Sequence, residues 1–244
     1  MLAAESLHGE GVARALVVAA HPDDIDFGCA GTVAAWVAAG IEVTYCVCTS
    51  GEATGDLDTP RDRVARQREQ EQRKAAATLG VHEVLFLHHP DGRLQPTLDL
   101  RRDITRVIRT VRPQRVLTWS PEINWDHVVT THPDHRACGE ATFAAVYPDA
   151  RNPHAHPELL AEGLQPWVVD ELWLADGPLE RRNHAVDVTE YLTARIAALR
   201  AHESQVGHLT DLDDMMRSVL TSNAQRAGLP EGRLAELFQV VRIT

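Results

Sequence analysis

The sequence predicts an α/β domain with a mainly parallel sheet and helices on both faces, and three observations point there. Short, nearly continuous apolar runs alternate with amphipathic helical stretches, and the first run stops abruptly at a His-Pro. Composition is ordinary: 44% of the 244 residues are hydrophobic and 24% charged, enough for a single core and one domain over residues 1–244.

Arg14–Ala20 (RALVVAA) is apolar on both faces of a two-residue period, as a fully buried parallel strand requires, and it ends at His21-Pro22. Thr32–Gly40 is helix-like with a glycine at its end, and Glu42–Thr49, β-branched and aromatic, reads as the second strand of a βαβ unit. The unit repeats after a Gly/Asp/Thr loop over 51–60, with a charged helix over Arg61–Leu79 and a strand over Glu83–His88. Leu100–Val111 is an amphipathic helix closed by Arg112-Pro113, followed by a strand over Arg115–Ser120. Residues 121–165 are irregular apart from a helix expected over Arg136–Val146, and a loop of that length inside a domain is usually functional. Strands over Val168–Ala175 and Ala185–Val188 and a helix over Val188–His202 complete the reading. Right-handed crossovers then place ligands beyond the C-terminal ends of the strands.

Charge and cysteine usage narrow the function classes. The net charge of −11 opposes binding to a phosphate backbone, so nucleic acid is set aside as a partner. Four cysteines, at 29, 46, 48 and 138, lack CxxC spacing and read as free thiols of a reducing compartment. No apolar run reaches transmembrane length and the first residues lack a basic segment ahead of an apolar one, so no membrane partner and a cytoplasmic location are expected.

The chemistry is carried by a tripeptide. His-Pro-Asp is expected about 0.05 times by chance in such a chain. It occurs at His21-Pro22-Asp23, His89-Pro90-Asp91 and His132-Pro133-Asp134, each near the end of an expected strand or in the loop beyond one. A single copy is ordinary turn chemistry, but repetition at strand ends points to a shared crevice. In the first copy, His21 and Asp24 stand three residues apart on one side of a helical turn, so imidazole and carboxylate can hold one cation while Asp23 stays free to handle a proton. The third offers His132 and His135 at the same spacing, and either completes a His2Asp set with an open position, the arrangement of catalytic zinc. Fe2+ suits the same donors.

With these residues in place, the sequence resembles the PIG-L/LmbE-like family of zinc-dependent N-acyl deacetylases and amidases. The resemblance rests on Ala20–Asp24 (AHPDD), Phe27–Thr32 (FGCAGT) and His132–His135 (HPDH). It extends through Thr49-Ser50-Gly51-Glu52, Arg68 with Glu71, Leu79-Gly80-Val81, Asp91-Gly92, and Ala198-Leu199 with His202 and Ser204-Gln205. It implies a Rossmann-like sandwich, with His21, Asp24 and His135 binding zinc and Asp23 as general base. It also implies that His132 stabilises or protonates the tetrahedral intermediate, with Asp134 orienting it. The implied reaction removes an N-acyl group, acetyl above all, from an amino-sugar-like or other small-molecule amide, or cleaves a thiol–sugar conjugate.

Two positions depart from the pattern. The residue after the paired aspartates, often Glu in the family, is Ile25, followed by Asp26, which is given only a supporting part. Thr130 stands where some members carry a tyrosine that helps hold the oxyanion.

Weaker candidates for substrate contact are Arg68, Asp91, Glu52 and Asp126, although an Arg on so charged a helix reads first as a solvated residue and Asp91-Gly92 is also a plain turn. Trp36, Trp119 and Trp173 are expected in the core, while Trp125 and Trp167 are candidates to stack on a sugar ring. A dinucleotide site lacks its glycine-rich turn and would set two aspartates against a pyrophosphate, and no serine-hydrolase motif is present. A metal-binding but non-catalytic protein stays open, as does a homo-oligomer; Asp23, beside a ligand rather than being one, argues for catalysis.

Overall fold

The structure is a computed structural model, which describes residues 11–243. The polar start of the chain, residues 1–10, lies outside the described residues. The elements run β1 (Arg14–Ala19), α1 (Asp24–Gly28), α2 (Ala30–Ala38), β2 (Glu42–Val47), α3 (Arg61–Thr78), β3 (Glu83–Phe86), α4 (Leu98–Val111) and β4 (Arg115–Trp119). They continue with α5 (Pro133–Ala144), α6 (Pro157–Ala161), β5 (Glu171–Ala175), β6 (His184–Asp187), α7 (Leu192–Arg200), α8 (Glu203–Val206), α9 (Leu212–Ala227) and β7 (Ala235–Arg242).

One seven-stranded sheet has the order β3-β2-β1-β4-β5-β7-β6. The first five strands are parallel, and β7 runs antiparallel to both β5 and β6. Along β1, Ala15, Val17 and Ala19 enter one core with α2, α3, α7 and α9, while Leu16, Val18 and Ala20 enter the other with α4 and α5. This two-sided burial is why the strand reads as an unbroken apolar run. Chain order reverses between β1 and β4, so a crevice opens beyond their C-terminal ends. Both the first and the third His-Pro-Asp follow those two strands.

Several expected boundaries move. The helix of the long loop begins at Pro133 rather than Arg136, because His132 caps it and Pro133 occupies its first position. The strand expected from Val168 begins at Glu171. Pro22 does not open a helix; Asp23 sits in the left-handed region (φ 82°) and α1 starts after it. Neither α9 nor β7 was expected. β7 carries a buried acid, Glu236, whose carboxylate accepts the Gly31 and Thr32 amides at the start of α2 and pairs with buried Arg195 from α7.

The irregular backbone over 149–164 is held by Arg109, whose guanidinium donates to the carbonyls of Asp149, Ala150, Asn152, Ala155 and Leu164. The Asp149, Ala150 and Asn152 carbonyls also accept backbone amides, so the guanidinium adds to the bonds that fix this stretch. The contact between α5 and β4 is close: a side chain at Gly139 would start 2.1 Å from the Trp119 carbonyl oxygen. Trp36, Trp119 and Trp173 lie in the core, and the four cysteines are free and buried. Among the described residues no helix is long and apolar enough to cross a membrane.

Removing one member of a buried ion pair leaves the other charge uncompensated. Arg195→Met should therefore lower unfolding free energy in urea by about 3–5 kcal/mol, and the double variant Arg195→Met/Glu236→Gln, which removes the stranded charge and keeps an oxygen for the α2 amides, should lose less than the sum of the two single variants. A loss in the double variant equal to the sum of the two single-variant losses would show that the pair is not coupled.

Candidate metal centre and active site

The crevice at the reversal point is lined by His21, Asp23, Ala53, Arg68, Asp91, Gly92, Val129, His132 and His135. Two donor groups there are close enough to hold a metal ion: His21 with His132 and His135, and His21 with Asp91 and Asp134. His21 belongs to both, and its two ring nitrogens face different partners.

On one side, His21 Nε2 lies 3.1 Å from Asp91 Oδ1 and 3.3 Å from Asp134 Oδ2. These carboxylates are already engaged by backbone: Asp91 accepts the Ala53 amide, and Asp134 accepts those of Gly92 and Leu94. They are placed to take the proton of Nε2, which leaves the Nδ1 lone pair facing inward, the arrangement that orients metal-binding histidines. On the inner side, His21 Nδ1 lies 3.3 Å from His135 Nε2 and 3.5 Å from Asp24 Oδ2. His135 Nε2 lies 3.0 Å from Asp24 Oδ1, and its Nδ1 faces the Thr130 carbonyl oxygen at 3.2 Å, which takes that ring's proton. Four donors about 2.0–2.1 Å from a tetrahedral zinc stand roughly 3.3–3.4 Å apart. His21 Nδ1 and His135 Nε2 stand 3.3 Å apart, close to that spacing, and the Asp24 carboxylate turns one oxygen to each of them, so this chain's own donors suit such an ion.

Electrostatics agree. Burial disfavours a charged imidazole at His21, but Asp24, Asp134 and Asp91 override it and push the ring up to about 12. Burial likewise opposes a charge on His135, whose pKa Asp24 raises to about 9. Burial works against ionised Asp24, yet the two imidazoles hold it well below the usual carboxylate range. The pocket is built for positive charge at its centre. Asp23 differs from its neighbour: burial pushes it up to about 6, against the pull of Arg68.

His132 differs from the other two rings. Burial and the neighbouring rings of His21 and His135 lower its pKa, so its neutral form is favoured. Its Nδ1 accepts the Asp134 amide at 3.2 Å, which puts the proton of that neutral ring on Nε2. The Asp134 carboxylate bonds to Gly92, Leu94 and His21; the contact with His132 comes through the Asp134 backbone.

Arg68 is not solvated. It is 5% exposed and donates to Gly51 O, Pro22 O and Asp23 Oδ2, the last at 3.0 Å. Room for it comes from Gly51, where a Cβ would stand 2.1 Å from the guanidinium and φ is +64°. Glu52 accepts the Asp91 amide and so braces the loop opposite. Asp126 is exposed, with its amide bonded to Asn124. His89 turns to Asp103, and only Asp91 of the second His-Pro-Asp enters the crevice. His156 pairs with Asp149, and His154 is exposed. Trp167 packs under Arg112 with its Nε1 on Pro113 O; Trp125 is 78% exposed on the loop between β4 and α5 that also carries Val129. Sequence reasoning missed the Thr130 carbonyl and Gln72, whose side chain accepts the Asp23 amide; neither has a local signature.

Residues 16–146 match the family model described as PIG-L: GlcNAc-PI de-N-acetylase. A diacetylchitobiose deacetylase of Thermococcus kodakarensis is 31% identical over 80% of this chain and 70% of its own. A 1D-myo-inositol 2-acetamido-2-deoxy-alpha-D-glucopyranoside deacetylase 1 of Saccharopolyspora erythraea is 33% identical over 79% and 78%. In three dimensions, an N,N'-diacetylchitobiose deacetylase from Pyrococcus horikoshii superimposes with a TM-score of 0.85 and 25% identity, covering 95% of this chain and 85% of that one. With the motifs at the strand ends and the fold in agreement, the chain belongs to the PIG-L family of de-N-acetylases.

Proposed function

We propose that the protein is a metal-dependent N-deacetylase that hydrolyses the acetamide of a small N-acetylglucosamine-containing substrate. The observation that carries this reading is the convergence of His21 Nδ1, Asp24 and His135 Nε2 to within 3.0–3.5 Å of one another, with Asp23 lining the same cavity. The relatives that resemble the chain are named for N-acetylated sugar substrates, which supports the substrate class.

His21, Asp24 and His135 would hold the ion, Zn2+ by the donor set with Fe2+ compatible. When bound, such an ion makes water more acidic and polarises an acyl carbonyl. Asp23 is the base. Its carboxylate is anchored on Arg68, and a pKa near 6 keeps it mostly ionised at neutral pH while close enough to exchange protons with water. Water oxygen joins the acyl carbon, Asp23 receives the proton, and the C–N bond breaks as that proton passes to the departing nitrogen, giving acetate and a free amine. His132 presents Nε2–H to the developing oxyanion as a neutral donor. Asp134 and Asp91 keep His21 in the tautomer that faces the ion.

The direct test is a released-amine assay of metal-reconstituted protein on N-acetylglucosamine, its glycosides and a thiol–sugar amide. Amine should appear with acetate in equal amounts; a blank across the panel with metal bound would leave a non-catalytic metal protein. Asp23→Asn should keep its metal and lose at least about 10²-fold in kcat. His21→Ala, Asp24→Ala and His135→Ala should lose metal by elemental analysis, whereas His132→Ala should keep it and lose turnover. Metal retained in His135→Ala but lost in His132→Ala would exchange their roles. Trp125 is expected to stack on the sugar or its substituent in both ground and transition states, so Trp125→Ala should raise KM about tenfold with kcat unchanged.

A further inference from the structure

Asp23 occupies a backbone conformation that its side chain does not favour. Its φ of 82° and ψ of −25° lie in the left-handed region, where a residue with a Cβ is strained unless its surroundings hold it there. The Asp23 amide donates to Gln72 Oε1 at 2.8 Å. Gln72 Nε2 in turn donates to Asp26 Oδ2 at 2.9 Å, and His202 Nε2 lies 2.8 Å from that same oxygen. Gln72, Asp26 and His202 are 0% exposed and come from α3, α1 and the turn between α7 and α8.

The chain of contacts has one polarity. A carboxylate accepts and does not donate, so the Gln72 amide must turn its NH2 group toward Asp26 and its oxygen toward Asp23. A flipped amide would set oxygen against carboxylate and N–H against N–H. The orientation of Gln72 is thus dictated by Asp26, whose own carboxylate is held by His202. The consequence reaches the cavity. With the Asp23 amide tied inward, the side chains of two adjacent aspartates diverge, Asp23 toward Arg68 and Asp24 toward His21 and His135.

Packing alone does not account for this network, since a buried polar cluster can often be replaced by apolar side chains without loss of stability. Asp26 Oδ1 and His202 Nδ1 are also buried without partners among the described residues, a cost that an apolar core would avoid.

We propose that Gln72, Asp26 and His202 are positioning residues that lock the Asp23 backbone in its left-handed conformation and so aim the catalytic carboxylate. The inference rests on the proposed role of Asp23 as base, and its test keeps the two apart. Gln72→Met preserves length and removes both hydrogen bonds; His202→Leu removes the donor to Asp26, while His202→Gln restores a donor near the position of Nε2. On the substrate found above, Gln72→Met and His202→Leu should each lower kcat by about 10–100-fold, with KM and bound metal within about twofold of wild type. His202→Gln should recover kcat to within about threefold of wild type. A merely structural network would instead lower the melting temperature of every variant and leave the kcat of the folded fraction unchanged.

A crystal structure of Gln72→Met supplies a readout that needs no turnover: Asp23 should leave the left-handed region and break its contact with Arg68. Should Gln72→Met fail to fold, the His202 pair decides the matter. Wild-type kcat in folded His202→Leu, or an unchanged Asp23 backbone in Gln72→Met, would overturn the proposal. An inactive wild type would overturn the base assignment while leaving the crystallographic result meaningful.

Discussion

The structure depends on neutralising a knot of buried carboxylates. Asp24, Asp91 and Asp134 all approach His21, a ring only 12% exposed, at the C-terminal end of a strand that is itself buried on both faces. Carboxylates at that depth persist only where positive charge and hydrogen-bond donors meet them. The backbone amides of Ala53, Gly92, Leu94 and His21 supply donors, and the imidazoles supply charge by holding protons. A divalent ion held as proposed would do the same work from the centre and free the inner nitrogens to act as ligands. Fold and chemistry therefore share one requirement: the loops after β1, β2 and β3 close over this point and bring their amides to the carboxylates.

That requirement explains why much of the site is legible in the sequence and where legibility stops. β1 is readable because burial on both faces makes its apolar run continuous, and the His-Pro-Asp after it is readable because histidine, proline and aspartate seldom recur together. The choice between His132 and His135 is not readable from spacing, since both stand at the start of one helix. It depends on which ring finds Asp24 on one nitrogen and the Thr130 carbonyl on the other. Arg68 misleads for a related reason. Its helix is dense in charge and suggests solvent on every side, but Gly51, lacking a side chain and in a left-handed conformation, opens a slot for the guanidinium from a distant loop. β7 stays hidden because a buried Glu236 interrupts its pattern, and only Arg195 and the start of α2 make that acid tolerable. The stripe of Leu212, Met216, Leu220 and Ala224 in α9, by contrast, has a readable four-residue spacing.

The position of the site in the sheet assigns different duties to its parts. The donors emerge from the first residues after β1 and from the first turn of α5, which packs against β4 so closely that Gly139 touches its carbonyl. These are anchored elements, and they suit groups whose separations must hold within a few tenths of an ångström. The crevice mouth is different. Val129 and the exposed Trp125 sit on the loop between β4 and α5, away from the core, where changes of side chain cost little stability. Relatives that share the fold and act on different N-acetylated sugars are what such a division permits, with the amide held at a constant centre and the rest of the substrate read at the rim.

Two adjacent aspartates with opposite acid–base character make the same argument at the scale of one peptide unit. Asp24 is held well below the usual carboxylate range by two imidazoles, whereas Asp23 is raised to about 6 by burial that one guanidinium only partly offsets. Neighbouring side chains in a regular helix would share one environment more nearly. Here the left-handed residue between strand and helix turns them apart, and each carboxylate answers to a different set of charges. A ligand must stay ionised, while a base must both give and take a proton, so in the proposed mechanism the backbone angle at Asp23 would separate the two functions assigned to the paired aspartates.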